Sequence, residues 1–188
     1  MSTSDSSAVF DYRALRLMMG LIAFSLPFVV SVLSSTPLSS ISASYHTEAR
    51  DAFVGMLFIV SAFLWAYRGH SASQAWASRA ASVAAAAVAV FPTSCDLCPA
   101  DTESTVHYGA AILLFGMLAF FCFGPFQAGT RGQGGKKERR SRVYLVCGCV
   151  MVGSMVTMGL AKLFVAEATA KALGITYWGE AVALWAFG

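Results

Sequence analysis

The chain has 188 residues, of which 57% are hydrophobic and only 12% charged, with mean hydropathy +0.64. Such a composition excludes an ordinary soluble domain, and 188 residues leave no room for one between the apolar runs. The formal net charge of +3 is small and matters only through where the charges fall.

In chain order, the apolar runs predict six membrane spans at about 14–34, 52–67, 77–92, 107–127, 143–165 and 172–188. Each is near the ~20 residues needed to cross ~30 Å of hydrocarbon. The expected fold is all-α, a single six-helix transmembrane domain covering residues 1–188. The first span has the arginine-bearing start, apolar run and small-residue stretch (34–44) of a signal peptide, and is read here as a retained anchor. The third carries an alanine ladder at Ala77, Ala81, Ala85 and Ala89, which permits close helix approach and predicts a central position. Gly148, Gly153 and Gly159 suggest similar approach in the fifth, whose Phe and Met neighbours face lipid or fill gaps. The sixth, at seventeen residues, is either just long enough or continued in a further segment.

The connections alternate in charge. Arg13 and Arg16 precede the first span, Arg68 and Arg79 stand between the second and third, and Arg131, Lys136, Lys137, Arg139, Arg140 and Arg142 between the fourth and fifth. These are ten of the thirteen basic residues; Arg50, Lys162 and Lys171 are the exceptions. Acidic residues do the reverse, with Glu48, Asp51, Asp96, Asp101, Glu103, Glu167 and Glu180 on the other side and only Asp5, Asp11 and Glu138 on the basic one. Short cytoplasmic loops carry the Lys/Arg excess. Both termini are therefore expected in the cytoplasm of a bacterial inner membrane. The basic run 136–142 stands beside a span, so its expected partner is anionic lipid and not nucleic acid.

Polar residues with chemical potential gather on the outer side: Ser42, Tyr45, His46, Arg50 and Asp51 after the first span, Cys95 and Cys98 after the third, His107 at the start of the fourth and Glu180 in the sixth. Ionisable groups at membrane depth are expensive, so these are candidates for one outward-facing pocket. His46 and His107 with a carboxylate from Asp51 or Glu180 make a set that can hold zinc with an open position. Alternatively, the histidines bond loop carbonyls and Asp51 caps the second helix. Cys95 and Cys98 are expected to form a local disulfide, with redox or metal roles as alternatives. Cys122, Cys147 and Cys149 pack within spans, and His70 is solvated beside Arg68.

The segments 41–55 (ISASYHTEARDAFVG), 90–93 (VFPT), 106–110 (VHYGA), 142–147 (RVYLVC) and 178–188 (WGEAVALWAFG) resemble a family of uncharacterised bacterial six-span membrane proteins. The Ser42-Ala-Ser-Tyr-His46 element is similar to the Ser-x-x-x-His element of the ceramidase and adiponectin-receptor superfamily of membrane hydrolases. That resemblance implies zinc held by the histidine, an aspartate and a late His-x-x-x-His pair, with Ser42 steadying the metal-bound water. The late pair is absent here, and Glu180 stands in the last span instead. Three readings follow: a pocket binding a small ligand or lipid headgroup, a zinc-dependent hydrolase of a lipid ester or amide, and an accessory subunit contacting a membrane partner. Secondary transport is less favoured, because no internal repeat or pair of broken helices is evident.

Overall fold

The computed structural model describes residues 12–67, 69, 71–95, 101–127, 132 and 134–188. These form helices α1 (Tyr12–Leu33), α2 (Arg50–Ala66), α3 (Ala72–Val90), α4 (Thr102–Phe121), α5 (Gly135–Phe164), α6 (Glu167–Ala172) and α7 (Ile175–Phe187), with no strand among the described residues. A 3-10 turn at Ser42–His46 lies between α1 and α2, and a π turn at Cys122–Phe126 extends α4 past Pro125.

Several helices begin earlier than the apolar windows, because polar residues start them. Ser71 caps α3 by accepting from the Gln74 N–H at 3.3 Å. Asp101 caps α4 by accepting from the Ser104 N–H at 2.8 Å, and the Ser104 hydroxyl faces back to the Asp101 backbone in a reciprocal box. The Ser104 backbone bond, followed by its side-chain bond, holds the Asp101 carboxyl below its ordinary pKa. The expected run 172–188 is not one helix. Gly174, at φ +60°, takes the left-handed conformation that ends α6 and restarts the chain as α7.

Three stretches are long and apolar enough to cross a membrane: Ala14–Leu33, Thr102–Phe126 and Gly135–Phe164. The other helices are shorter or less oily. With a rise of 1.5 Å per residue, the seventeen residues of α2 cover roughly 25 Å and the thirteen of α7 roughly 20 Å. The nineteen residues of α3 are mostly alanine and serine. By contrast, α5 reaches roughly 45 Å, and its first turns carry the basic run beyond the apolar part.

Neighbours in space follow chain order. α1 packs on α2, α2 on α3, α3 on α4 and α4 on α5, while α7 packs on both α5 and α1 and closes a ring of six helices. α3 packs against α2 on one side and α4 on the other, the two most extensive helix contacts in the ring. Its ladder permits this close approach. Ala77, Ala81, Ala85 and Ala89 are buried, while Trp76, 68% exposed, stands on the opposite face. Ser61 and Ser82 exchange hydroxyl bonds to each other's carbonyls across the α2–α3 seam at 2.9 and 2.8 Å, and Ser78 donates to the Leu64 carbonyl at 2.6 Å. Of Gly148, Gly153 and Gly159 in α5, only Gly148 is a close approach: a Cβ there would come 2.8 Å from the Phe123 ring, whereas the other two have nothing within 4 Å among the described residues.

The buried apolar residues form two stacked clusters. One, around Leu15, Tyr67, Leu118, Phe121 and Met151, lies toward the basic end. The other, around Leu26, Val30, Ile41, Phe53, Val88 and Ala181, lies toward the acidic end, directly beneath the connections that carry the polar candidates.

Candidate functional site

The connection from α1 to α2 is tied into the bundle by backbone groups that no helix satisfies. The 3-10 turn starts at Ile41 and Ser42, whose N–H groups have no partner within the turn itself. The Glu180 carboxylate of α7 accepts both, from Ile41 at 2.5 Å and Ser42 at 3.3 Å, together with the Ser42 hydroxyl at 3.2 Å. Glu180 is thus a cap supplied from 138–139 residues away in sequence. Inside the turn, Ser44 is buried and donates to the Ile41 carbonyl at 2.6 Å. At the outer edge, Glu48 accepts from the Ser35 hydroxyl at 2.8 Å and the Ser35 N–H at 3.3 Å. Bonds from its own backbone N–H and from Ser35 hold the Glu48 carboxyl below its usual range.

A second set of candidates gathers the carbonyls where α3 ends. Tyr45 donates its hydroxyl to Val90 at 3.2 Å, His46 Nε2 donates to Thr93 at 2.7 Å, and His107 Nδ1 donates to Phe91 at 2.7 Å. Arg50 stacks its guanidinium over the Tyr45 ring at 4.5 Å and donates to the Tyr45 hydroxyl at 3.1 Å. Terminal helix carbonyls lack intrahelical partners, so side chains from two other elements supply them. Asp51 is exposed in the first turn of α2. It does not cap that helix by a hydrogen bond, because the N-cap position is held by Ala49. Its negative charge is still favourable at the helix start.

The expected zinc ligands do not come together in this arrangement. His46 and His107 each spend a nitrogen on a carbonyl, Glu180 is bound to the 3-10 turn, and Asp51 points to the surface. Among the described residues, no group of three or more His, Cys, Asp and Glu side chains is placed to hold a metal ion. One nitrogen is left over: among the described residues His107 Nε2 has no hydrogen-bond partner, and the residue is only 1% exposed. A lone nitrogen does not make a metal site, so the donor set does not fit the ion that the hydrolase resemblance implies.

What the acidic end of the ring does contain is a cleft of about 300 Å³. Its lining comes from the α1–α2 connection (Ser39, Ser40, Ser42), the α3–α4 connection (Thr93, Ser94, Cys95), α4 (Tyr108), the end of α5 (Met158, Ala161, Lys162), α6 (Glu167, Lys171) and α7 (Thr176, Glu180). Of the sequence candidates, Ser42, Glu180 and Cys95 line it; Tyr45, His46, Arg50, Asp51 and His107 do not. Cys95 is disulfide-bonded, and Cys98, its expected partner, lies outside the described residues. Cys122, Cys147 and Cys149 are free thiols.

The residues missed in the sequence are Lys162, Lys171, Tyr108, Ser39, Ser40, Ser94 and Thr176. Two of them left a signal, since Lys162 and Lys171 are exceptions to the charge sorting. Tyr108 joins the wall to the loop, meeting the Thr93 hydroxyl at 3.1 Å and the Ser94 hydroxyl at 2.5 Å. Beneath the cleft is a small apolar cavity of about 40 Å³, lined by Leu26, Phe53, Leu57, Val88, Leu114, Phe115 and Leu184. Glu180 and Ser42 belong to both linings and form the floor between them.

Compared with family models, curated proteins and solved structures, the chain matches none. The resemblances read from the sequence stay expectations.

Proposed function

We propose that this chain is a multi-pass protein of the bacterial cytoplasmic membrane whose outer face presents a polar pocket for a small ligand or lipid headgroup. In this reading, α1 to α5 and α7 make six crossings, and both termini are cytoplasmic. The short α2 and α7 cross with the help of the polar layer at the outer end, which places loop backbone where it is satisfied by protein. The observation that carries the reading is the cleft: hydroxyls and charged groups from six parts of the chain meet at the end of the ring where the acidic connections lie. Ten basic against three acidic residues on the opposite side support the orientation. A hydrolase finds less support, because both histidines are engaged with carbonyls and neither is bonded to Ser42.

Cysteine labelling in intact cells tests this reading. A membrane-impermeant reagent is expected to modify cysteines introduced beside Asp101 and at Ser39, but not beside Gly134. Labelling only beside Gly134 would reverse the orientation, and an inert Ser39→Cys would remove the open pocket.

A further inference from the structure

We infer that the outer cleft takes a phosphate-bearing lipid headgroup entering sideways between α4 and α5. The inference rests on the pocket reading above and names the ligand class.

The first support is the shape of the opening. At the inner end, the π turn after α4 seats Phe123 against Gly148 of α5, with no room for a Cβ. At the outer end, Tyr108 of α4 and Met158, Ala161 and Lys162 of α5 line one cleft of about 300 Å³. The two helices therefore touch side chain to backbone at the inner end and share the wall of a cleft at the outer one. An opening between two spans near headgroup depth is reached from the outer leaflet without a lipid leaving the bilayer. Leu160, Leu163 and Phe164, beside Lys162, are exposed and offer an apolar surface for the chains to lie against.

The second support is the balance of donors and acceptors within the cleft. Glu180 already receives three donors from Ile41 and Ser42. Glu167 is paired with Lys171 at 3.1 Å. Lys162 has no hydrogen bond or ion pair with any described residue, and neither do the Ser39 and Thr176 hydroxyls. An ammonium without a partner among the described residues, with hydroxyl donors lining the same cleft, is a set suited to phosphoryl oxygens, which accept several charge-assisted bonds at once. Lys162 is also one of three basic residues on the side where the charge trend disfavours them. Its aliphatic stem can lie along the apolar rim while the charge reaches the cleft.

The test uses the full chain purified in a neutral detergent, with Arg139→Gln and Arg140→Gln introduced to remove charge from the basic first turns of α5, where Lys136, Arg139, Arg140 and Tyr144 line a second cleft at the opposite end. Thermal stability is titrated with a short-chain phosphatidylglycerol, with the matching uncharged diacylglycerol and with inorganic phosphate. The expected result is a saturable rise in melting temperature with phosphatidylglycerol alone. Lys162→Ala should raise the half-saturating concentration at least about tenfold, equivalent to about 1.4 kcal/mol, while Lys162→Arg stays near the parent. Lys162 is exposed, so both variants are expected to fold. Equal saturation by inorganic phosphate would overturn lipid entry in favour of free phosphate. Saturation by the uncharged lipid, or no saturation with Ser39→Cys still labelled from outside, would overturn the phosphate class and leave the pocket reading standing. Loss of that labelling would overturn the pocket reading itself.

Discussion

The two ends of the helix ring are built by different physics. At the basic end, rings and sulfur fill the space: Tyr67 meets Phe121 edge-on at 5.8 Å, Phe121 stacks on Phe126 at 5.7 Å, Phe126 packs on Tyr144 at 5.4 Å, and Arg16 sits over Phe126 at 5.6 Å. At the acidic end, polar side chains reach across the bundle to backbone groups, from Glu180 to residues 41 and 42, from His46 to 93, from His107 to 91 and from Tyr45 to 90. The difference follows from where the chain leaves regular helix. Apolar packing suffices while every N–H and C=O is satisfied internally, but a 3-10 turn and an open helix end leave backbone groups that need partners from elsewhere in the bundle. Residues that look catalytic in the sequence are largely employed in that repair.

The sharpest way to break this comparison is Glu180→Ala. It removes the acceptor from two backbone N–H groups at once, and we expect a loss of about 2–4 kcal/mol, read as a fall in melting temperature in detergent and as new proteolytic cleavage within residues 34–49. Glu180→Gln retains one acceptor oxygen and should lose about half as much. A Glu180→Ala protein as stable as the parent would mean that the turn is not held by this carboxylate.

His107→Ala is expected to cost about 2–3 kcal/mol, because it empties a buried site and abandons the Phe91 carbonyl. His46 is exposed, so His46→Ala should cost about 1 kcal/mol. The ordering of the two variants in chemical denaturation checks whether burial or mere bonding sets the cost.

The basic end should respond to volume and not to polarity. Gly148→Leu overpacks the contact with Phe123 and is expected to cost about 1–3 kcal/mol, whereas Gly153→Leu, with open space around it, should be close to neutral. Equal effects at the two glycines would deny the close approach of α5 to the π turn.

The smallest effect concerns the Glu48 clamp on Ser35. Because the folded carboxyl is held below its unfolded value of about 4.3, its contribution is present above that pH and is lost as pH falls through the lower folded value. Protection of the Ser35 amide, its exchange rate relative to that of an unstructured peptide at the same pH, should therefore fall on acidification in the parent protein. In Glu48→Gln protection should be low and free of this step at every pH.

The sequence by itself determined the helical class, the positions of the helices to within a turn or so at most ends, and the alternation of basic and acidic connections. Those features follow from local hydropathy, from small-residue spacing as in the Ala77–Ala89 ladder, and from charges counted loop by loop. It also marked Lys162 and Lys171 as exceptions without showing that they share a cleft. Only the tertiary structure decided what the polar residues do. Ser42 and Glu180 are 138 residues apart, and whether a carboxylate becomes a metal ligand, a proton site or a cap for a distant turn depends on which backbone donors stand within about 3 Å of it. His46 and His107 likewise read as a ligand pair until the end of α3 presents the carbonyls of Phe91 and Thr93 to them. The break at Gly174 was equally invisible, since a glycine in an apolar run is compatible with a helix until packing requires the left-handed turn it alone adopts at little cost.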